Sequence, residues 1–349
     1  MSKKCIAVVF GGCSPEYEVS LKSSYSVITH IDLDHYELVM VGISRDGEWY
    51  HYTGSPEAIL SDTWKNDQDC KPALLSPSRG VSGLLVFDEA GAMTQIHLDA
   101  VMPVLHGRYG EDGTIQGVIE MAGLPIVGCD TAASSLCMDK DKAHKMVEAA
   151  GLRAPRSFTI RKLSKLPLIV QFAAEIGYPV YVKPVKAGSS FGISKVYNDE
   201  ELEGAVKLAF SIDDEVIVEE NIEGFEIGCA VIGSEELLIG EIDEIELSDG
   251  FFNFTEKYTL ETSAIHCPAR IPVDKSDEAK KMAKRIYRIL GCRGLARVDM
   301  FIMPSGELVF NEVNTIPGFT PHSRFPKMLQ AVGMSFADVV NTAIRLALD

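Results

Sequence analysis

The sequence predicts an α/β protein of two or three packed units, with an α+β character towards its end. Three observations carry this: 349 residues, a strand–helix–strand opening, and a final third rich in facing β-runs. A chain of this length exceeds one ordinary core, and each unit is large enough to bury its own apolar centre.

Residues 5–10 are a short apolar, β-rich run, and residues 36–43 read as the next strand. Between them a helix is expected, with Ser14 as N-cap, Pro15 at the first helical position, and Glu16 and Glu18 complementing the positive end of the dipole. This βαβ opening puts the turn Gly11-Gly12-Cys13-Ser14 at a strand's carboxyl end, where open sheets usually bind ligands. The same capping pattern serves helices with no ligand, and GxGxxG is absent. Residues 98–105 read as a buried strand that opens into His106, Gly107, Arg108, Tyr109, Gly110, Glu111, Asp112 and Gly113, before a helical pattern over 115–121. Such a loop is either a site loop or a solvated turn. The first unit spans 1–135. The second, 136–215, holds a helix over 140–150, joints at Pro155 and Pro167, then strands and a helix. The third, 216–349, holds several strands, a helix over 276–290, a hairpin and a last helix over 336–348.

The hydrophobic fraction of 46% and charged fraction of 24% are those of a soluble globular protein. No segment reaches the roughly 18 apolar residues of a membrane span. The basic start Lys3-Lys4 is followed by too short an apolar run for a signal peptide. Eight cysteines without a CxxC pair suggest neither a zinc site nor a disulfide framework, and a cytoplasmic location is expected. A net charge of −17 argues against nucleic acid as a partner, so any phosphate is bound locally.

The strongest chemical signal is the hairpin over 296–315. A two-residue loop at Ser305-Gly306 would pair Phe301 with Phe310, Asp299 with Glu312 and Arg297 with Asn314, all on one face. Two opposed carboxylates repel unless a cation lies between them. With Asn314 they make a hard-oxygen set suited to Mg²⁺ or Mn²⁺; an acidic cluster buffered by arginine is the alternative. A second signal is a strand ending in Lys183-Pro184, followed by the small, hydroxyl-rich loop Gly188-Ser189-Ser190. Such a loop can wrap phosphates, or be a plain hairpin. Glu219 ends a further strand, where it reads as a nucleotide contact or a solvated acid. Residues 248–263 are long enough for a lid, or for an interface.

These features resemble the ATP-grasp fold and, more closely, the D-alanine:D-alanine ligase family. The family-like stretches are residues 10–20, the 106–113 loop, Met138-Asp139-Lys140, Lys183-Pro184 with 188–190, Glu256-Lys257-Tyr258, Arg297-Val298-Asp299, and 311–315 running on to Pro317-Gly318. The likeness spans the chain from Ile6 to the last helix. It implies three units with a Rossmann-like N-terminal one, ATP and two D-amino acids as substrates, two Mg²⁺ or Mn²⁺ ions, and a homodimer. By motif, Lys140, Lys183, Glu219 and Glu226 would hold the nucleotide, and Asp299, Glu312 and Asn314 the metal. Glu16 would bind the first amino acid's ammonium. Glu16, Ser189 and Tyr258 would form a triad to the lid, with Lys257 reaching phosphate. Arg297 and the Gly318 amide would stabilise an oxyanion, and His106 and Ser323 would lie at the two substrate ends. Phe252 and Arg324 depart from the usual Tyr and Leu, as in ligases of vancomycin resistance. Because Lys257-Tyr258 is kept, D-serine is the expected second substrate, with D-alanine as the alternative.

Overall fold

The computed structural model describes residues 3–66, 68–189, 191–247 and 263–349. Ser190, Phe252, Lys257, Tyr258 and all of the expected lid except Ser263 lie outside these residues.

Three sheets organise the chain. The first has seven strands. Its second strand from one edge is Lys4–Gly11, parallel to Tyr36–Ile43 on one side and to the edge strand Ala100–Pro103 on the other. A strand flanked on both sides and covered on both faces must be apolar throughout, and all of Lys4–Gly11 after Lys4 is buried. Four shorter antiparallel strands extend the edge beyond Tyr36–Ile43. The helix Tyr17–Ile28 starts two residues later than expected, with Glu16 at the N-cap. The Ser14 hydroxyl is occupied otherwise: it donates to the His106 carbonyl at 2.5 Å and accepts the Glu16 amide at 3.1 Å.

The second sheet is antiparallel, with helices Leu166–Ile176 and Asp199–Phe210 packed into its core. Pro167 lies in the first turn of Leu166–Ile176, where its missing N–H does no harm, so it starts a helix instead of marking a joint. The strand Val216–Glu220, expected to open the third unit, pairs with both Val180–Pro184 and Ser157–Ile160 inside this second sheet.

The third sheet has five antiparallel strands, backed by Val273–Ile289 and by Thr131–Met138 with Lys140–Ala149. The C-terminal helix Phe336–Leu348 packs back onto the first unit's core, beside Tyr17, Val27 and Met102. Among the described residues no helix is long and apolar enough to cross a membrane.

The hairpin of Leu295–Ile302 and Leu308–Asn314 does pair Asp299 with Glu312 and Arg297 with Asn314, but its turn end differs from expectation. Met303 N–H bonds the Glu307 carbonyl, so the loop is the three residues Pro304, Ser305 and Gly306, with Gly306 at φ +81. The longer loop sets Phe310 opposite Met300, on the buried face, and a bulge at Asn311 then restores the register at Asp299 and Glu312. The longer loop and the bulge offset each other, which is why the charged pairs keep their expected partners.

Candidate active site

Between the second and third sheets lies a cavity of about 390 Å³, whose walls include Lys140, Tyr181, Lys183, Glu219, Phe301 and Glu312. Lys183 and Glu219 stand on neighbouring antiparallel strands, where Lys183 pairs with Ile217 and Glu219 with Tyr181. They are diagonal neighbours on one face, with Nζ 2.6 Å from Oε2. Both are buried. Burial alone would lower the lysine's pKa, but the Glu219 charge outweighs it and leaves the group above its usual range. Burial would raise the Glu219 carboxyl, yet Lys183 and then His144 hold it down. Lys140 begins the helix Lys140–Ala149; its Nζ donates to the Ala187 carbonyl at 2.7 Å and stands 3.7 Å from Glu312. Glu219 Oε1 is a buried acceptor with no hydrogen-bond partner among the described residues, and His144 Nδ1, likewise without one, lies 3.9 Å from it.

Asp243, Gly228, Asp299 and Glu312 form a row across four adjacent strands. Asp299 accepts from Arg297 through both oxygens, at 2.8 and 2.7 Å, and from the Asn314 amide at 2.8 Å. Arginine thus buffers the acidic pair. The donor set of two carboxylates and an amide, all hard oxygens, also fits a divalent cation. No group of three or more His, Cys, Asp or Glu poised for a metal occurs among the described residues, so any ion would rely on oxygens beyond Asp299 and Glu312.

Arg324 begins the helix Arg324–Gln330 and is buried. Its guanidinium forks onto Asp243 at 2.8 Å through Nε and Nη2, and its Nη1 meets Glu226 at 2.8 Å. A Cβ at Gly228 would fall 2.5 Å from Arg324 Nη2, so glycine makes room for the pair. Arg324 and Glu226, assigned separately to amino acid and nucleotide from sequence, therefore share one ion-pair network with Asp243. Sequence reading passed over Asp243, because the strand Leu237–Leu247 also carries Glu241, Glu244 and Glu246 and nothing along the chain set Asp243 apart from them.

At the other end, Ser189 donates to Glu16, joining residues 173 apart. Glu111, which the sequence placed in a candidate loop without a role, lies beside them. Burial and then the Glu16 charge push its carboxyl up to about 8. His106 is buried, its Nδ1 3.0 Å from the Ile316 carbonyl, and burial lowers its pKa. Ser323 and Gly318 are adjacent: a Cβ at Gly318 would lie 3.1 Å from the Ser323 hydroxyl. Lys140, Glu312 and Asn314 share a second small cavity with Glu111 and Gly188, which links the two ends of the site.

Residues 5–129 match the family model described as D-ala D-ala ligase N-terminus, and residues 146–345 the one described as D-ala D-ala ligase C-terminus. A putative D-alanine–D-lactate ligase of Streptomyces coelicolor is 42% identical, covering 100% of this chain and 99% of that protein. The vancomycin C-type resistance protein VanC1 of Enterococcus gallinarum is also 42% identical, over 99% of this chain and 98% of its own length. The solved VanG D-Ala:D-Ser ligase from Enterococcus faecalis superposes with a TM-score of 0.93 at 52% identity, covering 99% of this chain and all of that one.

Proposed function

The chain belongs to the D-alanine–D-alanine ligase family, and we propose that this ATP-dependent ligase joins D-alanine to D-serine for modified, vancomycin-resistant cell-wall precursors. The observation that carries the D-serine reading is Arg324, next to Ser323 in the chain and bonded to Asp243 and Glu226. A guanidinium has five N–H groups, and three bonds to these carboxylates leave others for a substrate hydroxyl. The likeness to a D-Ala:D-Ser ligase at 52% identity supports the same choice.

In the reaction, the γ-phosphate of ATP passes to the carboxylate of the first D-alanine, and the amine of the second amino acid then displaces phosphate. Lys140 and Lys183 neutralise phosphate charge from a dry wall, where each charge acts more strongly than in water. Glu219 accepts from the nucleotide base, and Glu226 lies at the same cavity. Glu16 takes the first ammonium, held in place by Ser189, and His106 lies beside it. Arg297 and the Gly318 amide face the oxyanion, with Ser323 alongside. Asp299, Glu312 and Asn314 would hold one or two Mg²⁺ or Mn²⁺ ions, which when bound supply Lewis-acid stabilisation of the transferred phosphate. Tyr258 and Lys257 would complete the site from the lid, which excludes water from the acyl phosphate; Phe252 would face the second amino acid.

Three units, with Val216–Glu220 reassigned to the second, a homodimer and a cytoplasmic location complete the reading. Phosphate release with D-alanine alone, and with D-alanine plus D-serine, followed by mass identification of products, tests it. A mixed dipeptide near neutral pH supports the reading, and the homodipeptide alone makes this a D-alanine:D-alanine ligase.

A further inference from the structure

We propose that Ser23 and His106 form a side-chain clamp on residues 316–319 that holds the Gly318 amide in place for the reaction, a proposal that rests on the ligase reading above. Residues 316–319 lie between the strand Leu308–Asn314 and the helix Arg324–Gln330 and have no sheet ladder to order them.

The proton positions follow from the partners. The Ile316 carbonyl can only accept, so His106 Nδ1, 3.0 Å away, carries a hydrogen. In a neutral ring Nε2 is then an acceptor, and Ser23 Oγ lies 3.0 Å from it. Ser23 therefore donates its hydroxyl hydrogen to His106, which leaves its oxygen to accept the Phe319 amide at 3.3 Å. The low pKa that burial gives His106 agrees with a neutral ring. Within the 106–113 loop, Glu111 Oε2 accepts the Gly107 amide at 2.7 Å, which ties down the turn that follows His106.

The carbonyl of Ile316 and the amide of Phe319 are thus gripped by side chains of the 106–113 loop and the helix Tyr17–Ile28. Gly318 lies between the gripped residues. Ser23 is fully buried, where an alanine would pack with no polar group to satisfy, so its hydroxyl is explained by this bonding. Ser23 acts through the backbone and is a positioning residue.

Ser23→Ala tests this with full-length enzyme. Removing a whole oxyanion donor costs roughly 10²–10³ in kcat, so loosening one should cost about 10- to 100-fold. The KM for ATP should stay within about twofold and the melting temperature within a few degrees, as expected of a local polar loss. A kcat within twofold of wild type in Ser23→Ala, or a kcat loss matched by an equal rise in the KM for ATP, would overturn the clamp. Amide hydrogen exchange on the wild-type protein decides the matter if the variant fails to fold: slow exchange at Phe319 supports the clamp, and exchange at the rate of an open loop overturns it. Wild-type enzyme that releases no phosphate with D-alanine would instead strike the ligase reading, and the exchange result would still judge the clamp.

Discussion

Lys183 and Glu219 form a buried ion pair, Nζ to Oε2 2.6 Å, on adjacent strands beneath the large cavity. Breaking one half strands the other in the core. Lys183→Met should therefore cost about 3–5 kcal/mol, and a Lys183→Met/Glu219→Leu double variant should recover much of that. The Glu219 share of stability is full above its usual 4.5 and lost as pH falls through its depressed folded value. The Lys183 share is full below its usual 10.5 and lost as pH rises through its raised value. Thermal melts across pH check both; a double variant as unstable as the single would refute the pairing energy.

Asp299, which the proposed mechanism assigns to a metal, accepts from Arg297 and Asn314. Asp299→Asn keeps the shape and removes the charge. Turnover should fall by roughly a hundredfold or more, since a lost metal contact is worth several kcal/mol. Titrating Mg²⁺ against ATP turnover in wild type and variant measures this, and a normal rate would remove the hairpin from the mechanism.

Arg324→Leu would leave Asp243, fully buried, and Glu226 without their guanidinium. A loss of about 3–5 kcal/mol in stability is expected, since such removal uncovers buried charge. The product ratio of D-alanyl-D-serine to D-alanyl-D-alanine should fall as well. Chemical denaturation gives the first quantity and product mass analysis the second; a lower stability with an unchanged ratio would make Arg324 purely structural.

Gly107 sits at φ +74, and a Cβ there would lie 2.3 Å from Glu16 Oε2. Gly107→Ala combines left-handed strain of about 1–2 kcal/mol with displacement of that carboxylate. The KM for the first D-alanine should rise about tenfold, the equivalent of some 1.4 kcal/mol, while the KM for ATP stays put. Initial rates with each substrate varied in turn separate the two, and equal rises in both would point to general distortion.

Several parts of the site were legible before any coordinates. The facing of Asp299 and Glu312 followed from strand alternation, although the turn that produces it is one residue longer than the simplest hairpin and the bulge at Asn311 compensates. Periodicity could not reveal this, because both faces of the hairpin are apolar near the turn and a shift of one residue leaves the pattern looking the same. The N-cap was misplaced for a related reason: Ser14 has capping chemistry, but its hydroxyl went to a carbonyl 92 residues away.

By itself the sequence determined what depends on near neighbours: the opening strand and helix, the glycine-rich 106–113 loop, the lysine at the end of Val180–Pro184 and the charged residues of the hairpin. Only the tertiary structure decided that Val216–Glu220 joins the second sheet and that Arg324 forks onto Asp243. The reason is physical. Propensity, capping and alternation act over a few residues, whereas a buried charge or an unpaired strand edge accepts whichever distant partner the packing brings, and many partners of like chemistry look equivalent along the chain.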